Sequence, residues 1–182
     1  PLNQEELKEG IRLRSRMESE LVGPGFHGER GFHLKWGKGG LLDVEFLVVW
    51  LLLAFGAENS QLRTRSTIEG LRLIQESGLM IEDDAVFLST FYNSMRNLEN
   101  RLRLIHDIEV DNIDFTDHRI RELALSILQN SRIEPHGLTK DIKAQILELT
   151  QKTRGLYDRY TTLLERHLEQ GKPNPKIWAR GL

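Results

Sequence analysis

The residues best placed to do chemistry sit in one stretch, Lys35-Trp36-Gly37-Lys38-Gly39-Gly40-Leu41-Leu42-Asp43-Val44-Glu45-Phe46. Two lysines and three glycines precede an apolar run that reads as a helix. Glycines let a backbone approach a ligand closely, a helix N-terminus offers unpaired N–H donors, and lysines add positive charge. Lys35, Gly37, Lys38, Gly39 and Gly40 therefore have the composition of a phosphate-binding element. The same residues also suit a tight turn whose glycines only pack against neighbouring helices. The stretch is not a Walker A loop, because no Ser or Thr follows a Gly-Lys pair.

Asp43 and Glu45 are the only charges on the apolar helix that follows. In its first turns they favour the helix dipole. Residues two apart on a helix point about 200° from each other, which argues against one shared metal. Either carboxylate, if buried, needs a cation, and Lys35, Lys38 or an arginine such as Arg101 are the candidates. Arg96, Arg101 and Arg103 form an anion patch on this reading, or a solvated face resting on its aliphatic stems. Trp36 suits stacking on a base or plugging the loop onto the bundle, Trp50 suits the core, and Trp178 suits anchoring a partner. His106, His118, His136 and His167 are scattered without ligand spacing, so no metal site is expected.

These residues need a frame, and the rest of the chain reads as helices. Leu2 to Leu21 recurs at helical spacing through Leu7, Ile11, Arg14 and Met17, and Gly23-Pro24-Gly25 stops it. The divisions expected are an approach helix over 1–22, a glycine-rich loop over 23–40, a helical bundle over 41–170 and a tail or linker over 171–182. Within the bundle, Leu41 to Phe55 is apolar on nearly every side, as a central helix would be, and Gly56 ends it. Ser66 and Glu69 read as a capping box for a helix closed by Gly78. Leu88, Phe91, Met95, Leu98, Leu102 and Ile105 make the seam of a long helix. Thr116 is the expected cap of a shorter helix to about Gln129, and Pro135-His136-Gly137 breaks the chain. Thr139 opens a last long helix with the seam Ile142, Ile146, Leu149, Leu156, Tyr160, Leu163, and Gly171, Pro173 and Pro175 end it. No sustained period-two alternation signals a strand. The expectation is an all-α antiparallel helical bundle with a glycine-rich loop leading into a central apolar helix.

The whole-chain numbers agree. The 182 residues suffice for a buried core, and 39% hydrophobic with 29% charged residues excludes membrane and disordered classes. A net charge of -2 gives no reason to expect nucleic acid as a partner, and the absence of cysteine removes thiolate chemistry and fits a cytoplasmic setting. The longest apolar run, Phe46 to Phe55, falls short of the roughly 20 residues a membrane span needs.

The central stretch resembles the signature K-x-G-x-GG-L-x-D-I-E-F that follows the catalytic domain of glutamine-synthetase adenylyltransferases. Arg14-Ser15-Arg16-Met17-Glu18 resembles that family's R-x-R-M-E approach helix, and Leu62-Arg63 with Thr67 its L-R…N-T step. Ser66 stands where the family has Asn. Phe91 to Leu102 resembles its A-Y-x-x-L-R-x-L-E-H-R-L helix. The resemblance implies an upstream nucleotidyltransferase domain holding an acidic pair and magnesium, with ATP as donor and a tyrosine of glutamine synthetase as acceptor. It also implies a nitrogen-regulatory signal protein as partner. Nothing in the chain matches the Gly-Ser…Asp-x-Asp core, and a start at Pro1 fits a chain cut just after it. The isolated chain is therefore expected to be inactive and to need no cofactor. Two readings follow: a transferase subdomain in which Lys35, Lys38 and the glycine backbone close one side of a nucleotide site, with Asp43, Glu45, Arg96 and Arg101 in support, or a non-catalytic docking module. The equivalent domain of a signal-protein uridylyltransferase is a third.

Overall fold

A computed structural model describes residues 2–106, 111–130 and 141–170. Six α-helices account for most of them: α1 (Gln4–Leu21), α2 (Leu41–Phe55), α3 (Thr67–Glu76), α4 (Glu82–His106), α5 (His118–Asn130) and α6 (Ile142–Gln170). The all-α class is as expected. The expected break at Pro135-His136-Gly137, the opening at Thr139, the residues Gly171, Pro173 and Pro175 and the Trp178 anchor lie outside the described residues.

Helix α2 is the centre, touching α1, α3, α4 and α6. Leu41, Leu47 and Leu51 are fully buried, and each such side chain contributes about 1.5–3 kcal/mol. The long seams close around it. Leu88, Phe91, Met95, Leu98 and Leu102 of α4 are all 0% exposed, as are Ile146 and Tyr160 of α6. Trp50 is a core residue, its ring tilted against that of Tyr157 at 5.7 Å between centroids.

Three local expectations are corrected. The glycine-rich segment is not all loop. Gly31–His33 (β1) pairs antiparallel with Asn112–Asp114 (β2), with Phe32 opposite Ile113. Strands of three residues are too short to show alternation. At Gly31 the Ile113 carbonyl approaches so closely that no side chain fits. Helix α5 is capped by Asp117, whose Oδ1 accepts the Arg119 N–H at 2.8 Å. Thr116 instead gives its N–H and hydroxyl to Asp114. The Ser66 hydroxyl does accept the Glu69 N–H at 3.3 Å, but the Glu69 carboxylate is held by Arg72 at 2.6 Å and the Ser66 N–H donates to Thr64. A guanidinium one turn away outcompetes a neutral N–H for a carboxylate.

Candidate functional site

The segment ahead of α2 is built inward. The Gly37 N–H donates to the His33 carbonyl, Gly40 N–H to Gly37, Leu41 N–H to Leu34, Leu42 N–H to Lys35 and Asp43 N–H to Gly40, all at 2.8–3.2 Å. The Gly39 N–H donates to Asp43 Oδ2 at 2.7 Å. These donors serve the fold rather than an anion. Gly39 has φ +78°, and a Cβ there would run into the Thr150 carbonyl, so the loop lies directly on α6. Lys35 places its ammonium 4.9 Å from the centre of the Trp36 ring, and Trp36 in turn meets His33 edge-on. Lys38 is exposed and, among the described residues, has no carboxylate within ion-pair distance.

Asp43 and Glu45 leave α2 in opposite directions and hold two separate ionic clusters. Asp43 and Arg14 are both fully buried, with Arg14 Nε 2.6 Å from Asp43 Oδ1, close as an ion pair but poorly aligned as a hydrogen bond. Arg14 also donates to the Gly37 carbonyl at 2.9 Å. Arg154 of α6 reaches Asp43 Oδ2 at 3.4 Å, Glu18 at 3.1 Å and Asp158 at 2.9 Å. Burial pushes the Asp43 carboxyl above its ordinary value, against the pull of Arg14, Arg154 and the Gly39 N–H.

On the other side, Glu45 accepts from Tyr92 at 2.8 Å and from Arg96 at 2.5 Å. Arg96 also holds Glu99 at 2.6 Å, and Arg103 ties Glu99 to Asp111 at 3.0 and 3.2 Å. The expectation that an arginine satisfies these carboxylates holds, but Arg101 is not that arginine. Arg101 is exposed and donates to Asn97. Its side chain borders a hollow shared with Ser126 and Asn130 of α5, whereas Arg96 reaches Glu45 of α2.

Between α1, the glycine segment and α6 lies an open cleft of about 520 Å³. Glu18, His27, Phe32 and Lys38 form one wall, and the α6 face from Leu147 to Asp158, with Arg154 and Gly155, forms the other. Of the expected site residues, Lys38 alone lines this cleft. Asp43 and its partner Arg14 lie behind it, and Glu45, Arg96 and Arg101 are elsewhere. Among the described residues no cluster of three or more His, Asp or Glu side chains is arranged to hold a metal. No helix among them is long and apolar enough to cross a membrane. Arg154 and Gly155 do not stand out in the sequence as site residues. The signal for Gly155 was there, a lone glycine inside a strong helical pattern, whereas Arg154 looks like any surface arginine until the fold is known.

The family model described as GlnD PII-uridylyltransferase matches residues 26–151, more than half of the chain. The chain is 35% identical over 141 residues to the bifunctional glutamine synthetase adenylyltransferase/adenylyl-removing enzyme of Mycobacterium leprae, covering 75% of this chain and 14% of that one. With the enzyme of the same name from Mycolicibacterium smegmatis it shares 33% over 142 residues, again 75% and 14%. With that from Mycobacterium tuberculosis it shares 41% over 75 residues, 41% of this chain and 8% of the other. The chain thus spans about one seventh of the length of the first two relatives. The segment matched by the family model holds both carboxylates of α2 and the arginines of α4, so the chain belongs to the GlnD PII-uridylyltransferase family and is similar to one part of the bifunctional glutamine synthetase adenylyltransferase/adenylyl-removing enzymes.

Proposed function

We propose that the chain works as the helical domain of a cytoplasmic enzyme that moves AMP from ATP to a tyrosine of glutamine synthetase and takes it off again. The catalytic chemistry belongs to an upstream nucleotidyltransferase domain, and the chain alone is inactive. Its partners are that domain, glutamine synthetase and a nitrogen-regulatory signal protein. On this reading Mg²⁺, and every step that needs it, belong to the upstream domain. What this chain contributes is one wall of the nucleotide site.

The observation that carries this reading is Lys38. It stands at the edge of the cleft that joins the glycine segment to α6, and among the described residues no carboxylate lies within ion-pair distance of it. Lys35, drawn over Trp36, assists from the same segment. In an enzyme carrying this domain behind its nucleotidyltransferase domain, Lys38→Ala should raise the KM for ATP about tenfold, the weight of one charge-assisted contact, with thermal stability unchanged. Unchanged turnover in both Lys35→Ala and Lys38→Ala would sink the reading.

A docking role has its own observation. Val49 and Leu53, one turn apart on the otherwise buried α2, are 47% and 52% exposed. If Val49→Ser with Leu53→Ser abolishes modification of glutamine synthetase while the lysine variants do not, docking is the better account.

A further inference from the structure

Among the described residues three glycines lie inside helices, and two have a packing reason. A Cβ on Gly10 of α1 would sit 3.1 Å from Nε1 of Trp50, and one on Gly70 of α3 would sit 2.5 Å from Cγ1 of Val48. Each lets α2 come close. Gly155 is different. It stands near the middle of the 29-residue α6, is exposed, and a Cβ there would meet nothing within 4 Å. Its cost to the helix is therefore not returned by any contact within the described fold.

Its position gives it a use. Gly155 lies in the cleft wall, with Gln151 one turn before it and Asp158 one turn after, all three on the same face of α6. The two side chains stand about 10 Å apart along the axis. Between them the helix surface is bare, a shallow slot with an amide at one end and a carboxylate at the other. Arg154 engages one oxygen of Asp158 at 2.9 Å, which leaves the carboxylate further acceptor capacity. Lys38 faces this slot from the opposite wall.

We propose that Gly155 is the floor of a nucleobase subsite: the adenine ring of a nucleotide lies flat on α6 between Gln151 and Asp158, with its phosphates directed towards Lys38. This rests on the reading of the cleft as a nucleotide wall and adds where the base goes. The Asp158 carboxylate accepts from the exocyclic amine, and the Gln151 side-chain amide donates to a ring nitrogen. Any side chain at position 155 would lift the ring off the helix.

The test separates base from phosphate on the 182-residue chain itself. Backbone amide NMR spectra are followed while adenosine and, separately, inorganic tripolyphosphate are added up to about 10 mM, the range a half-site would need. Adenosine should shift amides from Gln151 to Asp158, and tripolyphosphate those around Lys38. Gly155→Ala should raise Tm by about 2–4 °C, since it removes a helix-interior glycine, yet abolish the adenosine shifts and keep the tripolyphosphate ones. Gln151→Ala should weaken the adenosine shifts at least threefold without touching Tm. Adenosine shifts that are absent, or that survive Gly155→Ala, overturn the base subsite. Tripolyphosphate shifts that are absent or survive Lys38→Ala overturn the nucleotide-wall reading instead.

Discussion

Arg14 and Asp43 meet at 2.6 Å with neither side chain exposed, and the pair joins α1 to the first turn of α2 beneath the glycine segment. A buried pair of this kind adds little net stability over an apolar replacement, but losing one partner strands the other. Asp43 is also the acceptor of the Gly39 N–H and a partner of Arg154, so three elements converge on one carboxylate. Arg14, Asp43 and Glu45 thus hold α2 in place and do not line the cleft, whereas Glu18 at the end of the R-M-E stretch does.

Asp43→Asn keeps the shape and the Gly39 contact but leaves buried Arg14 only the more distant Glu18, at 3.6 Å, as counter-charge. It should cost about 3–5 kcal/mol in urea unfolding. Glu45→Gln, at a carboxylate that is 24% exposed, should cost about 1–2 kcal/mol. If the two cost the same, the buried pair does not have the weight assigned to it.

Helix existence was legible because the seams of α4 and α6 and the apolar wrap of α2 each span many residues, enough for a period to show. The strands were not, since three-residue pairing between segments some eighty positions apart leaves no local pattern. The charges on α2 were recognised as needing cations, yet the choice among Arg14, Arg96, Arg101 and Arg154 depends on helix placement that no sequence spacing encodes. Arg14 was visible as an anomaly, a charged residue on an apolar seam, and it proves fully buried. Gly37, Gly39 and Gly40 looked like anion-binding geometry because backbone donors at a helix start are open by default. The His33 carbonyl closes the Gly37 N–H, the Gly37 carbonyl that of Gly40, and the Asp43 carboxylate that of Gly39.

The glycine loop gives a paired test of close approach. Gly39 (φ +78°) and Gly78 (φ +73°) share a left-handed conformation, but a Cβ at Gly78 meets nothing, whereas one at Gly39 collides with the Thr150 carbonyl. Gly78→Ala should cost only the conformational term, about 1–2 kcal/mol. Gly39→Ala should cost at least about 2 kcal/mol more, because the loop must lift from α6 and the Asp43 contact goes with it. Equal losses in chemical denaturation would show that the loop gives way at little cost.

His33 supplies a pH dependence. It is 7% exposed, its Nδ1 accepts the Trp36 N–H at 3.2 Å, and burial lowers its pKa from the ordinary value near 6.5. Asp111 and Glu99 pull the other way and Lys35 adds to the lowering. A folded pKa below the unfolded one means the unfolded chain binds more protons as pH drops below about 6.5. The stability is then complete above that value and lost as pH falls from it towards the folded pKa. Tm should therefore fall between about pH 7.5 and about pH 5.5. His33→Gln, which retains an acceptor for the Trp36 N–H, should shrink that fall. A remainder is expected from His167, whose pKa is also lowered by burial. An unchanged fall in His33→Gln would place the acid sensitivity outside the strand that carries His33.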